Sequence, residues 1–330
     1  MRWGYSLMSE EHGPRALVDA AVRAEEAGFD FVTLSDHFHP WLHSQGASPF
    51  AWSVLGAIAE RTERIEIMTA VTCPTVRYHP AVIAQAAATV AVMSEGRFAL
   101  GLGAGELLNE HVVGRGWPAP DQRLAMVGEA IDIMRVLWQG GSHSHHGRFF
   151  DLDTAELFTR PEVPPQILLA GGGKRALALA ANVADGMFAT EPSGELVEGY
   201  HDAGGRGRVL GQAVMCVSAD EETGQRAAVD RWRFASGGWP VQANLPTPAA
   251  FEAATSTVRF EDLADTVSVG PDPDPHVRNL GKWLRAGFTD VCIVQVGRDQ
   301  DRFFDAWERD LLPLLAATEI DGVTTAVAPD

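Results

Sequence analysis

Lysine is nearly missing from this chain. Of its 26 cationic residues only Lys174 and Lys282 are lysines, an Arg-for-Lys bias that carries no mechanism by itself. Cysteine is scarce as well: Cys73, Cys216 and Cys292 are odd in number and without CxxC spacing, so neither a disulfide framework nor a zinc site is encoded. That usage points to a reducing, cytoplasmic compartment. No stretch of about 18 uninterrupted apolar residues occurs, which excludes a membrane-spanning helix. The N-terminus MRWGYSLMSEEHGPRALVDAA has no apolar run of signal-peptide length, so export by a recognisable signal is not expected. Positive charge is outnumbered too, 26 Lys+Arg against 44 Asp+Glu, for a net charge of −18. A field of that sign repels phosphate backbones and anionic headgroups, so nucleic acid and membrane surfaces are poor partners, and any anionic ligand must be met locally.

What is present is average for a folded protein: 46% hydrophobic and 21% charged residues over 330 positions exclude disorder, collagen-like repeats and coiled coil as the main architecture. Short apolar runs alternate with segments of helical period, the signature of βαβ units around a parallel sheet. The runs predict strands at Trp3–Met8, Asp30–Ser35, Ile65–Val71, Phe98–Leu102, Gln166–Ala170, Gly186–Thr190, Val209–Val217 and Asp290–Val296. Helices are predicted at Pro14–Ala27, Pro80–Met93, Gln122–Trp138, Arg175–Ala184, Gly194–Ala203, Thr223–Phe234, His276–Ala286 and Gln300–Leu315. Eight strands with helices between them are most simply closed as a (β/α)8 TIM barrel, one domain over 1–316 with a tail over 317–330. Insertions are expected over 104–120, over 139–165 as a hairpin excursion, and over 235–271 as a long irregular segment.

In such a barrel chemistry sits at the C-terminal ends of the strands. The second strand ends in Ser35-Asp36-His37-Phe38-His39-Pro40-Trp41, two histidines, a carboxylate and an indole within seven residues, hard to justify as core. The third passes through Val71-Thr72-Cys73 into a proline turn. The fourth ends in Gly101-Leu102-Gly103-Ala104-Gly105-Glu106, then Asn109. It lacks the third-glycine spacing and distant acid of a dinucleotide fingerprint, and reads instead as closely spaced glycines admitting a flat ligand, with Glu106 facing the cavity. The fifth ends in Ala170-Gly171-Gly172-Gly173-Lys174 before a helix, an anion site in an acidic protein. His143, His145 and His146 share a hairpin without converging geometry, so no metal is expected. Trp52, Trp117 and Trp138 read as packing.

The runs SDHFHPW, TCPTVRYHPAVIAQAAATVAVM, GRFALGLGAGELLNEHVVG and LLAGGGKRALALAANVADGM, in this order, resemble the bacterial luciferase-like superfamily. Within it the chain is similar to deazaflavin-dependent oxidoreductases of the F420-dependent glucose-6-phosphate dehydrogenase type. The resemblance implies a homodimer and coenzyme F420 with its ring at the barrel mouth. By matching position it places Asp36 and His37 at the ring and the reacting substrate, Trp41 at the site's polarity and Glu106 in a proton relay. Cys73, Gly105 and Asn109 fall near the ring, and Ala70–Val71 at a non-prolyl cis peptide against its face. Ala170, Gly171, Gly172, Gly173 and Lys174 fall on the phosphate-bearing tail. The family's sugar-phosphate lysines have no counterpart: Thr190-Glu191-Pro192-Ser193 follows the sixth strand, Phe251-Glu252-Ala253-Ala254 lies in the insertion, and no lysine lies between Lys174 and Lys282.

The reading that follows is hydride transfer between the deazaflavin C5 and a small alcohol, carbonyl or activated alkene, with His37 handling the proton, Glu106 setting its charge, and glucose 6-phosphate disfavoured. Two alternatives keep the fold: an FMN-dependent monooxygenase or flavin reductase, and a cofactor-binding barrel without turnover.

Overall fold

A computed structural model describes residues 1–317; of the tail expected over 317–330, Ala317 ends a helix and the rest lies outside the described residues. The strands are β1 (Arg2–Leu7), β2 (Phe31–Leu34), β3 (Glu66–Thr69), β4 (Phe98–Leu102), β5 (His143–His146), β6 (Asp151–Ala155), β7 (Gln166–Ala170), β8 (Gly186–Ala189), β9 (Arg208–Val217), β10 (Val267–Gly270) and β11 (Asp290–Gln295). Strands β1, β2, β3, β4, β7, β8, β9 and β11 pair in parallel, and β11 returns to β1, which closes an eight-stranded barrel. Helices fill the intervals, as the alternating pattern requires.

Side chains alternate across each strand, so every strand feeds two layers. Inward-facing Phe31, Met68, Ala99, Leu168, Phe188, Leu210 and Cys292 form an apolar plug inside the barrel. Phe31 is fully buried there, and truncating such a ring to alanine costs about 3–5 kcal/mol. Outward-facing Val32, Ile67, Leu100 and Ile167 meet the helices in the larger outer core. The Pro80–Met93 helix buries Ile83, Ala84, Ala87, Ala88, Val90 and Ala91 there, its proline pre-setting the first turn.

Below the plug a ring of charge seals the barrel. Arg2, Glu66, Arg208 and Asp290 are the first residues of β1, β3, β9 and β11. Arg2 reaches Glu66 at 2.5 Å and Asp290 at 3.3 Å, and Arg208 reaches the same pair at 2.6 and 2.9 Å. Both guanidinium groups lie over the Phe31 ring, at 5.4 and 6.0 Å.

Three elements depart from the sequence reading. Ala51–Arg61 is a helix burying Trp52, Leu55 and Ile58, although its caps carry no side-chain signal. The 235–271 insertion ends in a short strand, β10: β9 is ten residues long, β8 pairs only with its first half, and Val267–Gly270 takes up Val214–Val217. The last helix is interrupted by a π segment over Trp307–Leu311, where Trp307 stacks on Phe29 at 4.4 Å. The 139–165 segment forms the expected hairpin, β5 antiparallel to β6. Its histidines diverge: His143 contacts the Gly140 carbonyl, His145 contacts Glu129 and His146 contacts Asp151.

Candidate active site

The turn after β1 and the end of β2 meet in a buried polar chain. Ser35 Oγ accepts from the Ser9 N–H at 3.0 Å and donates to Glu10 Oε2 at 2.7 Å. Glu10 Oε1 lies 3.3 Å from His37 Nδ1, and the His39 carbonyl sits 3.2 Å from the same nitrogen. With Nδ1 engaged, Nε2 is the ring nitrogen without a hydrogen-bond partner among the described residues. Sequence reasoning missed Glu10, since Ser9-Glu10-Glu11 reads as a solvated acidic turn. Its position just past a barrel strand was the available signal.

His37 also packs on Trp41, ring centroids 4.9 Å apart. The indole stacks almost parallel on Phe234, in the turn that leads into the long insertion, at 4.7 Å and stands edge-on to Phe251, within that insertion, at 5.1 Å. The segment 41–45 docks on the same body: Ser44 donates to the Asp230 carbonyl, Gln45 to that of Arg231, and His43 pairs with Glu252. Arg231 in turn faces Glu11 at 3.3 Å. Burial still pushes the Glu11 carboxyl up to about 7, against the opposing pull of that guanidinium.

Asp36 is committed to protein donors. Thr72 donates to Oδ2 at 2.7 Å, and Arg77 and Tyr78 donate to Oδ1 at 3.0 and 3.2 Å. Directly before Thr72, the Ala70–Val71 peptide is cis. The glycines of β4 answer to this turn. A Cβ on Gly101 would come within 2.0 Å of the Thr69 carbonyl, and one on Gly103 within 2.6 Å of the Val71 side chain. The expected role of these two glycines, admitting a ligand to the backbone, is therefore corrected: neighbouring protein occupies that space. Gly105 has φ +86° and is walled by Glu110, Trp117 and Thr75. Cys73 is buried, and burial, then Glu106 and Glu110, raise its thiol well above the ordinary value, so it stays protonated.

Asn109 joins the ends of β2 and β4. Its Oδ1 accepts from the Phe38 and His39 N–H groups at 2.9 and 3.1 Å, which fixes the amide orientation and turns Nδ2 toward Glu106 Oε2 at 3.3 Å. Four residues past Glu106, Glu110 Oε2 accepts from the Val76 and Arg77 N–H groups at 3.1 and 2.7 Å. Burial raises Glu110 to about 7 even so. Ala70, Val71 and Ala170 pack on the upper side of the barrel plug, so three predicted residues share one apolar seat. Gly172, Gly173 and Lys174 are exposed beside it, and a Cβ on either of these glycines would meet nothing within 4 Å. Gly171 is different: a Cβ there would strike Ala176 at 2.3 Å. His37, Trp41, Asp36, Glu106 and Asn109 thus form one connected cluster, while no hydrogen bond or ion pair among the described residues ties Gly171–Lys174 to it.

A family model described as luciferase-like monooxygenase matches residues 1–290. A protein of Kribbella flavida named F420-dependent glucose-6-phosphate dehydrogenase is 38% identical, covering 96% of this chain and 98% of its own length. A protein of the same name from Nakamurella multipartita is 36% identical, covering 96% and 97%. A solved F420-dependent secondary alcohol dehydrogenase in complex with an F420-acetone adduct superposes with a TM-score of 0.87 at 27% identity, covering 95% of this chain and 98% of that one.

Proposed function

The chain belongs to the luciferase-like monooxygenase family, and from that premise we propose a coenzyme F420-dependent oxidoreductase acting on a small, uncharged alcohol, carbonyl or activated alkene. The residues present suit a flat cofactor with an anionic tail: an apolar seat of Ala70, Val71 and Ala170, and open backbone at Gly172 and Gly173 beside the exposed Lys174. Cys73, Gly105 and Asn109 would border the ring. When bound, F420 supplies a carbon, C5, that accepts or donates a hydride. The chain's own part is to place the substrate and handle one proton. His37 Nε2 takes it from a hydroxyl or returns it to a carbonyl, Glu10 on Nδ1 orients the imidazole, and Trp41, held between Phe234 and Phe251, walls the substrate side. Glu106, held by one amide, faces the same space and sets its charge.

The observation that carries this reading is the buried Glu10–His37 pair, set just past the ends of β1 and β2. Preference for an uncharged substrate rests on charge. Glu10, Glu11, Asp36, Glu106 and Glu110 are all buried at the mouth, against Arg77 and Arg231, which are already paired, and Arg123, which is buried over Trp117 and donates to the Pro118 carbonyl. Glu191 is exposed just past β8. A sugar phosphate there would lack lysines worth about 1.5–3 kcal/mol each. Steady-state assays with F420 test it: turnover of simple secondary alcohols or ketones is expected, and glucose 6-phosphate oxidation at kcat/KM above about 10⁴ M⁻¹s⁻¹ would overturn the substrate assignment.

The proposal includes a cytoplasmic homodimer. The three buried free thiols suit a reducing compartment, and the Pro80–Met93 helix leaves Val82, Val92 and Met93 exposed for a partner. Sedimentation as a 35.5 kDa monomer at micromolar concentration would contradict the dimer.

A further inference from the structure

The turn after β3, Thr72–Tyr78, is organised from both sides by carboxylates of its neighbours. Asp36 comes from the end of β2 and takes the Thr72 and Tyr78 hydroxyls. Glu110, from beyond β4, takes the Val76 and Arg77 N–H groups. The side chain of Arg77, 7% exposed, spans the interval: Nη2 donates to the Asp36 carbonyl at 2.8 Å and to Oδ1 at 3.0 Å, and Nε lies 3.7 Å from Glu110 Oε1. Its guanidinium lies over the Tyr78 ring at 4.4 Å. One cation therefore closes a bridge between the ends of three successive barrel strands. Two atoms of that bridge, Arg77 Nε and Glu110 Oε1, are buried without a hydrogen-bond partner, so the Glu110 side is charge-paired but not bonded.

We propose that Arg77 is a positioning residue for the cofactor seat: by holding Asp36 and Glu110 apart at fixed distances it sets the shape of the Ala70–Cys73 wall and the direction in which His37 leaves β2. This rests on the reading that the seat receives F420. Asp36 and His37 are consecutive, so a guanidinium that grips the Asp36 carbonyl and carboxylate also fixes the peptide carrying His37. Asp36, with both oxygens taken by protein, acts in that bridge as the partner of Arg77 and Thr72. A lysine at 77 would keep the charge but offer a point donor where the planar guanidinium addresses two groups in different directions. Burial already raises Glu110, and the Arg77 charge opposes that rise, so removing the cation would leave the carboxylate without a counterion.

The test compares the wild type with Arg77→Lys in three measurements: thermal unfolding, hydrogen exchange of the cofactor-free protein, and titration with F420 and separately with FMN. Arg77→Lys should unfold within a few degrees of the wild type, and its 72–78 amides should exchange about tenfold faster while those of β1 and β11 are unchanged. Its dissociation constant for the cofactor should rise about tenfold. A role in global stability alone would move the melting temperature and exchange everywhere together, and that result, or unchanged local exchange with unchanged affinity, overturns the proposal. If the wild type takes FMN and not F420, the cofactor assignment falls, while local exchange and the FMN affinity of the variant still decide the role of Arg77. If Arg77→Lys does not fold, Glu110→Gln gives the same decision, since it weakens the same bridge at a residue with no place at the ring.

Discussion

The two ends of the barrel hold charge in opposite ways. At the floor, Arg2, Glu66, Arg208 and Asp290 form a closed set of two cations and two anions, each touching both of opposite sign. Burial works against the Arg208 charge, but Glu66 and Asp290 more than offset it, and its pKa rises. At the mouth five buried carboxylates face three arginines, the ion-paired Arg77 and Arg231 and the buried Arg123, and two of those carboxylates, Glu11 and Glu110, are pushed up to about 7. Balanced charge beneath Phe31 serves cohesion, whereas an excess of buried carboxylates, two of them raised to about 7, is the kind of arrangement that functional sites use. The ends therefore respond differently to substitution.

The largest separation is expected from His37→Asn, which keeps a polar group of similar size and removes the proton carrier. Turnover should fall by about 10² to 10⁴-fold with little change in melting temperature. A variant retaining more than a tenth of wild-type kcat would move the acid–base role elsewhere. The converse experiment is at the floor. Asp290→Ala leaves Arg2 and Arg208 with only Glu66 and should cost about 3–5 kcal/mol of stability, read by denaturant unfolding, while kcat at a permissive temperature stays unchanged. A comparable loss of kcat would erase the distinction between the ends.

The pH dependence of stability sharpens the comparison. Glu11 and Glu110 have folded pKa values of about 7 against an ordinary 4.5, so the folded state binds their protons more tightly than the unfolded chain. Their contribution is complete below pH 4.5 and is lost as pH rises to 7, about 3 kcal/mol for each group. Glu25 and Glu129, which accept several backbone N–H groups and are lowered, act only below 4.5 and in the other direction. The melting temperature should thus be higher at pH 5.5 than at pH 8, and Glu110→Gln should flatten the difference. An opposite slope would mean that the mouth carboxylates are ionised at neutrality. The smallest effect belongs to the cofactor tail: Lys174→Glu should weaken F420 binding about tenfold, or about 1.4 kcal/mol, and an unchanged dissociation constant would place the tail elsewhere.

Much of this was legible in the sequence, where local pattern and long-range packing agree. Phe98–Leu102 and Gln166–Ala170 are strands with the predicted bounds because each is an apolar run between turn signals. The SDHFHPW segment stood out because so many reactive residue types rarely crowd a strand end. Glu10, Phe234 and Arg77 did not, for one shared physical reason: their significance lies in contacts made far along the chain. Glu10 is one of two adjacent acids until Ser35 and His37 close on it. Phe234 is the last residue of a predicted helix until it stacks on Trp41. The glycines of Gly101-Leu102-Gly103 were noticed and misassigned, since spacing alone cannot tell a close ligand from a close neighbouring strand.

The account turns on which flat cofactor the mouth receives, and direct titration of the purified, cofactor-free protein decides it. Following F420 fluorescence and FMN fluorescence in parallel, the account predicts saturable F420 binding at a dissociation constant of about 1 μM or tighter, with FMN at least about a hundredfold weaker. Tight retention of FMN with no measurable affinity for F420 would contradict it and make the protein a flavin-dependent member of the family.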